Sequence, residues 1–261
     1  MRQSLILKPI ILLLRFSNLV SYHVSEIRGK FTPIQDWTKE LSRYFKTSPE
    51  EIIKDYLQKR KETVKLWDKI QRRQLKQIFS FYSETDYFVY RQSHFNRHKS
   101  WWDIALALRL KPTGRLCEYG SGIGPVTNWL IGKFPGWNYH LIDLDCPTFK
   151  FSRWRFKNRR NVSFSAVKSL EPSLTDKYDV IVCKQVLEHT PNPYTICRGI
   201  IKHLNSGGWL FIDFINSPGQ ENLNSSYQQR AKTLAYLANH LRPIFKVNLK
   251  GKTEGYGLYF K

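Results

Sequence analysis

A glycine-rich turn is the part of the sequence best suited to chemistry. Gly120, Gly122 and Gly124 follow the strand-like run 116–119 and precede a helical stretch. Glycine lets the backbone turn tightly and lets a ligand lie against bare main chain, beside the unpaired N–H groups of the next helix. The turn therefore predicts a nucleoside-sized ligand. Proline stands at position 125, where a dinucleotide-binding loop needs its third glycine, so NAD is disfavoured.

An acidic residue supports this interpretation. Asp143 ends the apolar run 140–142 and lies 23 residues after Gly120. A carboxylate at the end of a second strand can accept hydrogen bonds from both hydroxyls of a ribose held over the glycine loop. Asp145 takes this role if the strand runs two residues longer. Capping of the next helix is the alternative role for Asp143 taken alone.

The elements around these residues alternate between short apolar runs and helical stretches. Such alternation predicts a parallel sheet with helices on both faces, with strands at 115–119, 139–142, 161–165, 178–183 and 209–214. A helix near 225–241 then precedes two strand-like runs, 244–249 and 256–260. The turn between those runs is so short that the pair must be antiparallel.

The N-terminal part is predicted to be helical. Ser48-Pro49-Glu50-Glu51 provides an N-cap, a proline at the first helical position and a capping-box glutamate. Another helix is predicted over 100–110. We place a helical extension or cap at 1–111 and a second domain at 112–261. The apolar face of the helix that begins at Ser48 is predicted at Ile53, Leu57, Val64, Trp67, Ile70, Ile78 and Tyr82, opposite a lysine- and arginine-rich face read as solvated.

Four motifs in order resemble those of the class I S-adenosylmethionine-dependent methyltransferases, in the broad branch that contains the quinone-biosynthesis methyltransferases. They are residues 118–124, Asp143, 178–189 and 204–212. The resemblance implies an α/β fold: a Rossmann-like seven-stranded sheet with an antiparallel C-terminal hairpin, preceded by a mostly helical N-terminal extension.

The resemblance also implies the cofactor S-adenosylmethionine and its contacts. Glu118 and the glycines are expected at its methionine part and Asp143 at its ribose. The segment 164–169 lacks the acid that usually meets the adenine amino group, so apolar and backbone contacts must hold the adenine. The full predicted cofactor set is Glu118, Tyr119, Gly120, Ser121, Gly122, Asp143, Leu144, Ala166 and Lys184.

The chemistry needs few catalytic groups, because a sulfonium methyl is already electrophilic. Alignment of the acceptor can supply roughly 7 to 11 kcal/mol. His189, after the fourth strand, is the candidate general base. The alternative is that Glu188 and His189 only fix their loop. The aromatic and histidine residues of 87–98, with Trp101 and Trp102, either line the acceptor pocket or pack the N-terminal helices.

Charge narrows the class of partner. Lys and Arg number 42 against 21 Asp and Glu, a formal charge of +21, which favours anionic neighbours. The segment 150–160 carries six basic residues among aromatic ones, the strongest argument for an RNA substrate. Phe149, Trp154 and Phe156 are better explained as the buried face of a helix. We therefore expect a small or lipid-linked acceptor and contact with an anionic membrane surface, with RNA methylation and inactive cofactor binding as alternatives.

Cysteine spacing and hydropathy bear on location. Cys117, Cys146, Cys183 and Cys197 are separated by 29, 37 and 14 residues, so neither a metal site nor a disulfide scaffold is predicted. The apolar run 5–14 is too short to cross a bilayer, and no small-residue cleavage site follows it. These features predict a cytoplasmic protein that is peripheral to a membrane at most.

Overall fold

The computed structural model describes residues 2–31, 36–69, 74–167, 174–215, 222–245 and 255–261. The strands are β1 (Gly114–Tyr119), β2 (Trp137–Asp143), β3 (Val162–Ala166), β4 (Tyr178–Cys183), β5 (Leu204–Phe214), β6 (Arg242–Phe245) and β7 (Gly255–Phe260). The helices are α1 (Arg2–Phe31), α2 (Asp36–Phe45), α3 (Pro49–Lys69), α4 (Leu75–Ser83), α5 (Tyr87–Asn96), α6 (Trp102–Arg109), α7 (Pro125–Leu130), α8 (Pro147–Arg155), α9 (Pro193–His203) and α10 (Asn224–His240).

The strands form one sheet in the order β3-β2-β1-β4-β5-β7-β6. Strands β1 to β5 are parallel, and β7 runs antiparallel to both β5 and β6. The predicted seven-stranded α/β sheet with an antiparallel C-terminal pair is confirmed. Strand β6 begins two residues before the predicted run 244–249, and residues 246–249 lie outside the described residues.

The central strands are buried on both faces. Along β4, Val180 and Val182 belong to one apolar cluster, while Ile181 and Cys183 belong to the cluster on the opposite face. A strand covered by helices on both sides needs a continuous apolar run rather than an alternating one. This requirement explains why the strands could be recognised in the sequence.

Helix α3 begins as predicted, with the Glu51 N–H donating to the Ser48 hydroxyl over 3.2 Å. Its predicted apolar face is wrong at Leu57 and Val64. Ile78 is buried and Tyr82 half-buried as predicted, but both belong to α4, and the side chains of Trp67 and Ile70 lie outside the described residues. Leu57 and Val64 are 55% and 46% exposed, whereas Ile52 is fully buried. The buried side is offset because Tyr56, one turn after Ile52, stacks on a tyrosine of α5 at 5.9 Å between ring centroids. The helix ends at Lys69, and α4 is a separate element.

The N-terminal helices pack directly on the sheet-containing part of the chain. One apolar cluster joins Trp37, Leu41, Ile52, Val89 and Tyr90 of α2, α3 and α5 to Ile123 of the glycine loop and Phe151 of α8. Ile104 and Leu108 of α6 belong to the main core together with Leu116 of β1. The division at residue 111 remains a prediction.

Candidate active site

The glycine loop has the backbone geometry that its composition predicts. Gly120, Gly122 and Gly124 have φ angles of +67°, +51° and +69°, which residues with a Cβ rarely adopt. The N–H groups of Gly120 and Ser121 both donate to the Ile142 carbonyl, at 2.8 and 3.1 Å. The loop is thereby tied to the end of β2. Its conformation belongs to the fold itself and is in place to receive a ligand.

Glu118 has a structural task that the sequence did not reveal. Its carboxylate is buried, and its two oxygens accept hydrogen bonds from the N–H groups of Val126, at 3.1 Å, and Thr127, at 2.9 Å. These are donors of the first turn of α7, which the helix cannot satisfy internally. Burial raises the pKa of Glu118 to about 7, against the lowering effect of these hydrogen bonds. Glu118 thus fixes the helix that follows the glycine loop.

Asp143 connects the end of β2 to the glycine loop. Its carboxylate accepts hydrogen bonds from the Gly122 N–H and, at 2.6 Å, from the Leu144 N–H. Burial raises the pKa of this carboxyl to about 6. Asp145, the alternative ribose ligand, is about half exposed and lies 3.8 Å from Arg153. Asp145 is not among the described residues that line the cavity below, whereas Asp143 is.

A cavity of about 990 Å³ lies at the carboxyl ends of the parallel strands, between them and helices α1 and α5. This edge of an open parallel sheet is where such folds bind ligands. Most predicted site residues line the cavity: Glu118, Tyr119, Gly120, Ser121, Asp143, Leu144, Lys184 and His189. Gly122 and Ala166 are not among the described lining residues, although Val167 is. At Gly122 the Gln92 side chain of α5 covers the loop.

The Ser121 hydroxyl gives an independent indication of a ligand. It is buried, lines the cavity and has no hydrogen-bond partner among the described residues. Buried hydroxyls are normally paired, so an unpaired one facing a cavity fits a polar ligand. Together, this hydroxyl and the Asp143 carboxylate fit a nucleoside that carries an amino-acid group.

His189 lies in a short 3₁₀ turn, Leu187–His189, directly after β4. Its Nε2 is 3.8 Å from a carboxylate oxygen of the buried Glu188. The turn is attached to α10, because the Ser226 hydroxyl donates to the Leu187 carbonyl over 2.6 Å. The imidazole lines the cavity on a fixed support. This geometry suits both predicted roles, proton acceptor and loop anchor.

The structure adds residues that sequence reasoning missed. Gln92 accepts the Ile123 N–H through Oε1 at 3.1 Å, which links α5 to the glycine loop. Gln185 has a φ of +58°, and its N–H donates to the buried Asp213 at 2.5 Å. A left-handed glutamine costs backbone energy and is typical of functional sites. No sequence motif indicates Gln92. Asp213 could have been noticed, because it is an acidic residue near the end of an apolar strand.

The aromatic segment before the sheet divides between its two predicted roles. Phe88 and Phe95 line the cavity, as does Trp101, whose ring lies 4.7 Å from Lys184 Nζ. His94 instead packs against Trp37, with 5.2 Å between ring centroids. Trp102 packs edge-on against a tryptophan of the sheet domain. One face of α5 therefore borders the cavity and the other joins the N-terminal helices.

Comparison with known proteins decides the family. A family model described as "Methyltransferase domain" matches residues 94–258, which is more than half of the chain. The chain belongs to this methyltransferase family. The resemblance to class I S-adenosylmethionine-dependent methyltransferases is thereby confirmed at the level of family and fold.

Curated relatives match locally. The chain is 36% identical over 59 residues to a ubiquinone biosynthesis O-methyltransferase of Nitrosospira multiformis, and the match covers 23% of this chain and 25% of the relative. It is 32% identical over 105 residues to the ubiquinone biosynthesis O-methyltransferase of Bordetella avium, and this match covers 39% of this chain and 43% of the relative. The chain spans less than half the length of these relatives.

Solved structures with a similar arrangement include the N-methyltransferase NodS of Bradyrhizobium japonicum in complex with S-adenosylhomocysteine. That comparison has a TM-score of 0.46 and 17% identity, and covers 60% of this chain and 83% of NodS. The comparison with an O-methyltransferase family 2 protein of Planctomyces limnophilus in complex with apigenin has a TM-score of 0.42 and 16% identity. It covers 57% of this chain and 51% of that protein.

Most aromatic rings in and beside the basic segment 150–160 lie inside the protein. Phe149, Phe151 and Phe156 are buried. Arg155 is committed to an ion pair with Glu40. Trp154 is partly buried and packs against Phe151, with 5.4 Å between ring centroids, so it is the one described ring of this helix that also reaches the surface. Little aromatic surface is therefore left for the base stacking that the RNA alternative needs.

The geometry and hydropathy of the described residues bear on metal binding and on membrane spanning. No group of three or more His, Cys, Asp or Glu side chains within the described ranges is arranged to hold a metal ion. Among the helices that the structure describes, none combines the length and hydropathy needed to cross a bilayer.

Proposed function

We propose that the chain transfers a methyl group from S-adenosylmethionine to a hydroxyl oxygen of a small or lipid-linked acceptor. The observation that carries the proposal is the single cavity bordered by the glycine loop, by Asp143 and by His189. The relatives named as ubiquinone biosynthesis O-methyltransferases support oxygen as the acceptor atom and a lipid-linked aromatic as the acceptor.

The cofactor end of the cavity is formed by the ends of β1 and β2. The Ser121 hydroxyl is placed for the methionine part, beside the backbone of Gly120 and the wall formed by Glu118 and Tyr119. Asp143 is the group for the ribose hydroxyls, since a carboxylate accepts from two hydroxyls at once. Leu144 and Val167 provide the apolar surface for the adenine. Ala166 and Gly122 act through their backbone positions beside these contacts.

When bound, the cofactor supplies an electrophilic methyl carbon: the acceptor oxygen forms the new C–O bond while the C–S electron pair returns to sulfur, leaving S-adenosylhomocysteine. The hydroxyl proton goes to the His189 imidazole. The Glu188 carboxylate, with one oxygen 3.8 Å from Nε2, is the acidic group beside this imidazole. Lys184 and Trp101 close the wall next to the reacting groups and exclude water.

The acceptor end of the cavity lies between α5 and α1. Its lining combines the aromatic rings of Phe88 and Phe95 with Leu12, Phe16 and Leu19 of α1. An aromatic head with an apolar chain fits such a lining. The four cysteines are free and buried, which suits a reducing cytoplasm. We place the enzyme there, in contact with an anionic membrane surface.

Transfer of a labelled methyl group tests the function. The full chain is incubated with S-adenosylmethionine tritiated on the methyl carbon and with separate lipid, aqueous metabolite and RNA fractions of cells. Label is expected in the lipid or metabolite fraction. His189→Ala should abolish most of it, whereas the exposed His240→Ala is the matched control and keeps it. Label confined to RNA, or no transfer to any fraction, contradicts the proposal.

A further inference from the structure

Helix α1 presents an unusual amount of apolar surface to solvent. Eight of its side chains are between 39% and 65% exposed: Ile10, Leu12, Leu13, Phe16, Leu19, Val20, Val24 and Ile27. Contiguous exposed apolar patches on soluble proteins are usually interaction sites. The helix lies outside residues 94–258, so the family match does not account for it.

The exposed side chains form two stripes along the helix. Ile10, Leu13, Val20, Val24 and Ile27 are three, four or seven residues apart and so share one face, which we call the outer stripe. None of them is among the described residues lining the cavity. Leu12, Phe16 and Leu19 form the adjacent inner stripe, and all three line the cavity.

The helix is held in this orientation by the loop before α6. The Asn18 side-chain oxygen accepts hydrogen bonds from the Ser100 hydroxyl at 2.9 Å and from the Trp102 N–H at 3.4 Å. The Tyr22 ring packs edge-on against His98, 6.5 Å between ring centroids. These contacts fix one side of α1 to the body of the protein. The outer stripe remains on the solvent side.

The charge of this region favours an anionic surface. The sequence contains no Asp or Glu before Glu26, while Arg2, Lys8 and Arg15 are basic. The whole chain carries a formal charge of +21. Basic and apolar residues together on a non-spanning helix are typical of helices that lie in the membrane interface. No described helix meets the requirements for a spanning segment.

We propose that α1 lies in the plane of a bilayer rich in anionic phospholipid, with the outer stripe inserted among the lipids. The inner stripe then forms the border between the bilayer and the cavity. A lipid-linked acceptor reaches the methyl-transfer site along Leu12, Phe16 and Leu19 without crossing water. This last step rests on the proposed function, whereas the docking of α1 does not.

Vesicle co-sedimentation of the full chain tests the docking. Vesicles of phosphatidylcholine alone are compared with vesicles of phosphatidylcholine and phosphatidylglycerol. Binding is expected to the anionic vesicles, and Leu13→Asp with Val20→Asp should reduce it roughly tenfold or more, because two exposed apolar side chains that would enter the lipid become charged. Leu57→Asp is the matched control: Leu57 is 55% exposed on α3, against 65% for Leu13, and its substitution should leave vesicle binding unchanged.

Two accompanying measurements separate the outcomes. Calorimetry with S-adenosylhomocysteine should give equal affinities for the wild type and the double variant, which also shows that the variant is folded. No vesicle binding by a wild type that binds S-adenosylhomocysteine overturns the docking and the proposed membrane contact, and leaves the proposed methyl transfer standing. If the wild type binds vesicles but not S-adenosylhomocysteine, the docking of α1 is supported and the proposed function is overturned. A third outcome is that the wild type is a dimer and does not bind vesicles, while the double variant is a monomer. The outer stripe is then an interface between copies of the chain, and the proposal is overturned.

Discussion

Arg155 of α8 and Glu40 of α2 form a two-pronged ion pair between the N-terminal helices and the sheet domain. Arg155 Nε lies 2.7 Å from one Glu40 oxygen, and its second nitrogen reaches the other. The remaining nitrogen donates to the Ile123 carbonyl of the glycine loop over 2.7 Å. The Arg155 side chain is only 7% exposed. The Arg155 guanidinium therefore connects α2, α8 and the glycine loop.

Removing that guanidinium should destabilise the protein. Arg155→Met leaves the Glu40 carboxylate and the Ile123 carbonyl without their donor, so we expect a loss of roughly 1.5 to 3 kcal/mol in the free energy of unfolding. Urea unfolding measures it. Arg153→Met is the control on the same helix, since Arg153 is 44% exposed and 3.8 Å from its acidic neighbour. Equal effects of the two substitutions would show that the ion pair has no special role.

The role of His189 can be separated from a structural one. With an acceptor in hand, His189→Ala should lower kcat roughly 10²- to 10⁴-fold, because proton acceptance by a positioned base is lost. The affinity for S-adenosylhomocysteine should stay unchanged. If rate and cofactor affinity fall together, the histidine only anchors its loop. His240→Ala again serves as the control.

Glu118 should make stability depend on pH. Burial raises its pKa in the folded state from 4.5 to about 7, so the folded protein holds this proton more tightly than the unfolded chain. The stabilisation is complete below about pH 4.5 and is lost as the pH rises to about 7. The Glu118→Gln variant has no titrating carboxyl at this position, so it serves as the reference. The urea midpoint of the wild type, relative to that of the variant, should fall across this interval, and parallel midpoints would refute the shift.

Much of the fold could be predicted from the sequence, because the central strands are buried on both faces and show as short, mainly apolar runs separated by helical stretches. The glycine loop and Asp143 were readable for a similar reason, since tight turns need glycine. The buried face of α3 could not be predicted in this way. Ile52, Tyr56 and Leu57 are all large enough for the core, and only the packing against other helices determines which of them is buried. Gln92 contacts the loop from 30 residues upstream of Gly122, and no local pattern encodes such a contact.

The sequence also left the extent of the first helix open. The length of the apolar run 5–14 and the lack of a cleavage site after it say nothing about where a helix ends, whereas the structure continues α1 to Phe31. The exposed positions Val20, Val24 and Ile27 lie beyond that run and are separated by polar residues. Their common face becomes visible only once the helix is known to be continuous.

The central claim is that the cavity at the ends of β1 and β2 binds S-adenosylmethionine, with Asp143 on the ribose. Calorimetric titration of S-adenosylhomocysteine tests it most directly. We expect the wild type to bind, Asp143→Ala to bind about 10- to 150-fold more weakly, as loss of charge-assisted hydrogen bonds worth roughly 1.5 to 3 kcal/mol requires, and Asp145→Ala to match the wild type. Unchanged affinity in a folded Asp143→Ala variant, or a loss carried by Asp145→Ala instead, would contradict the claim.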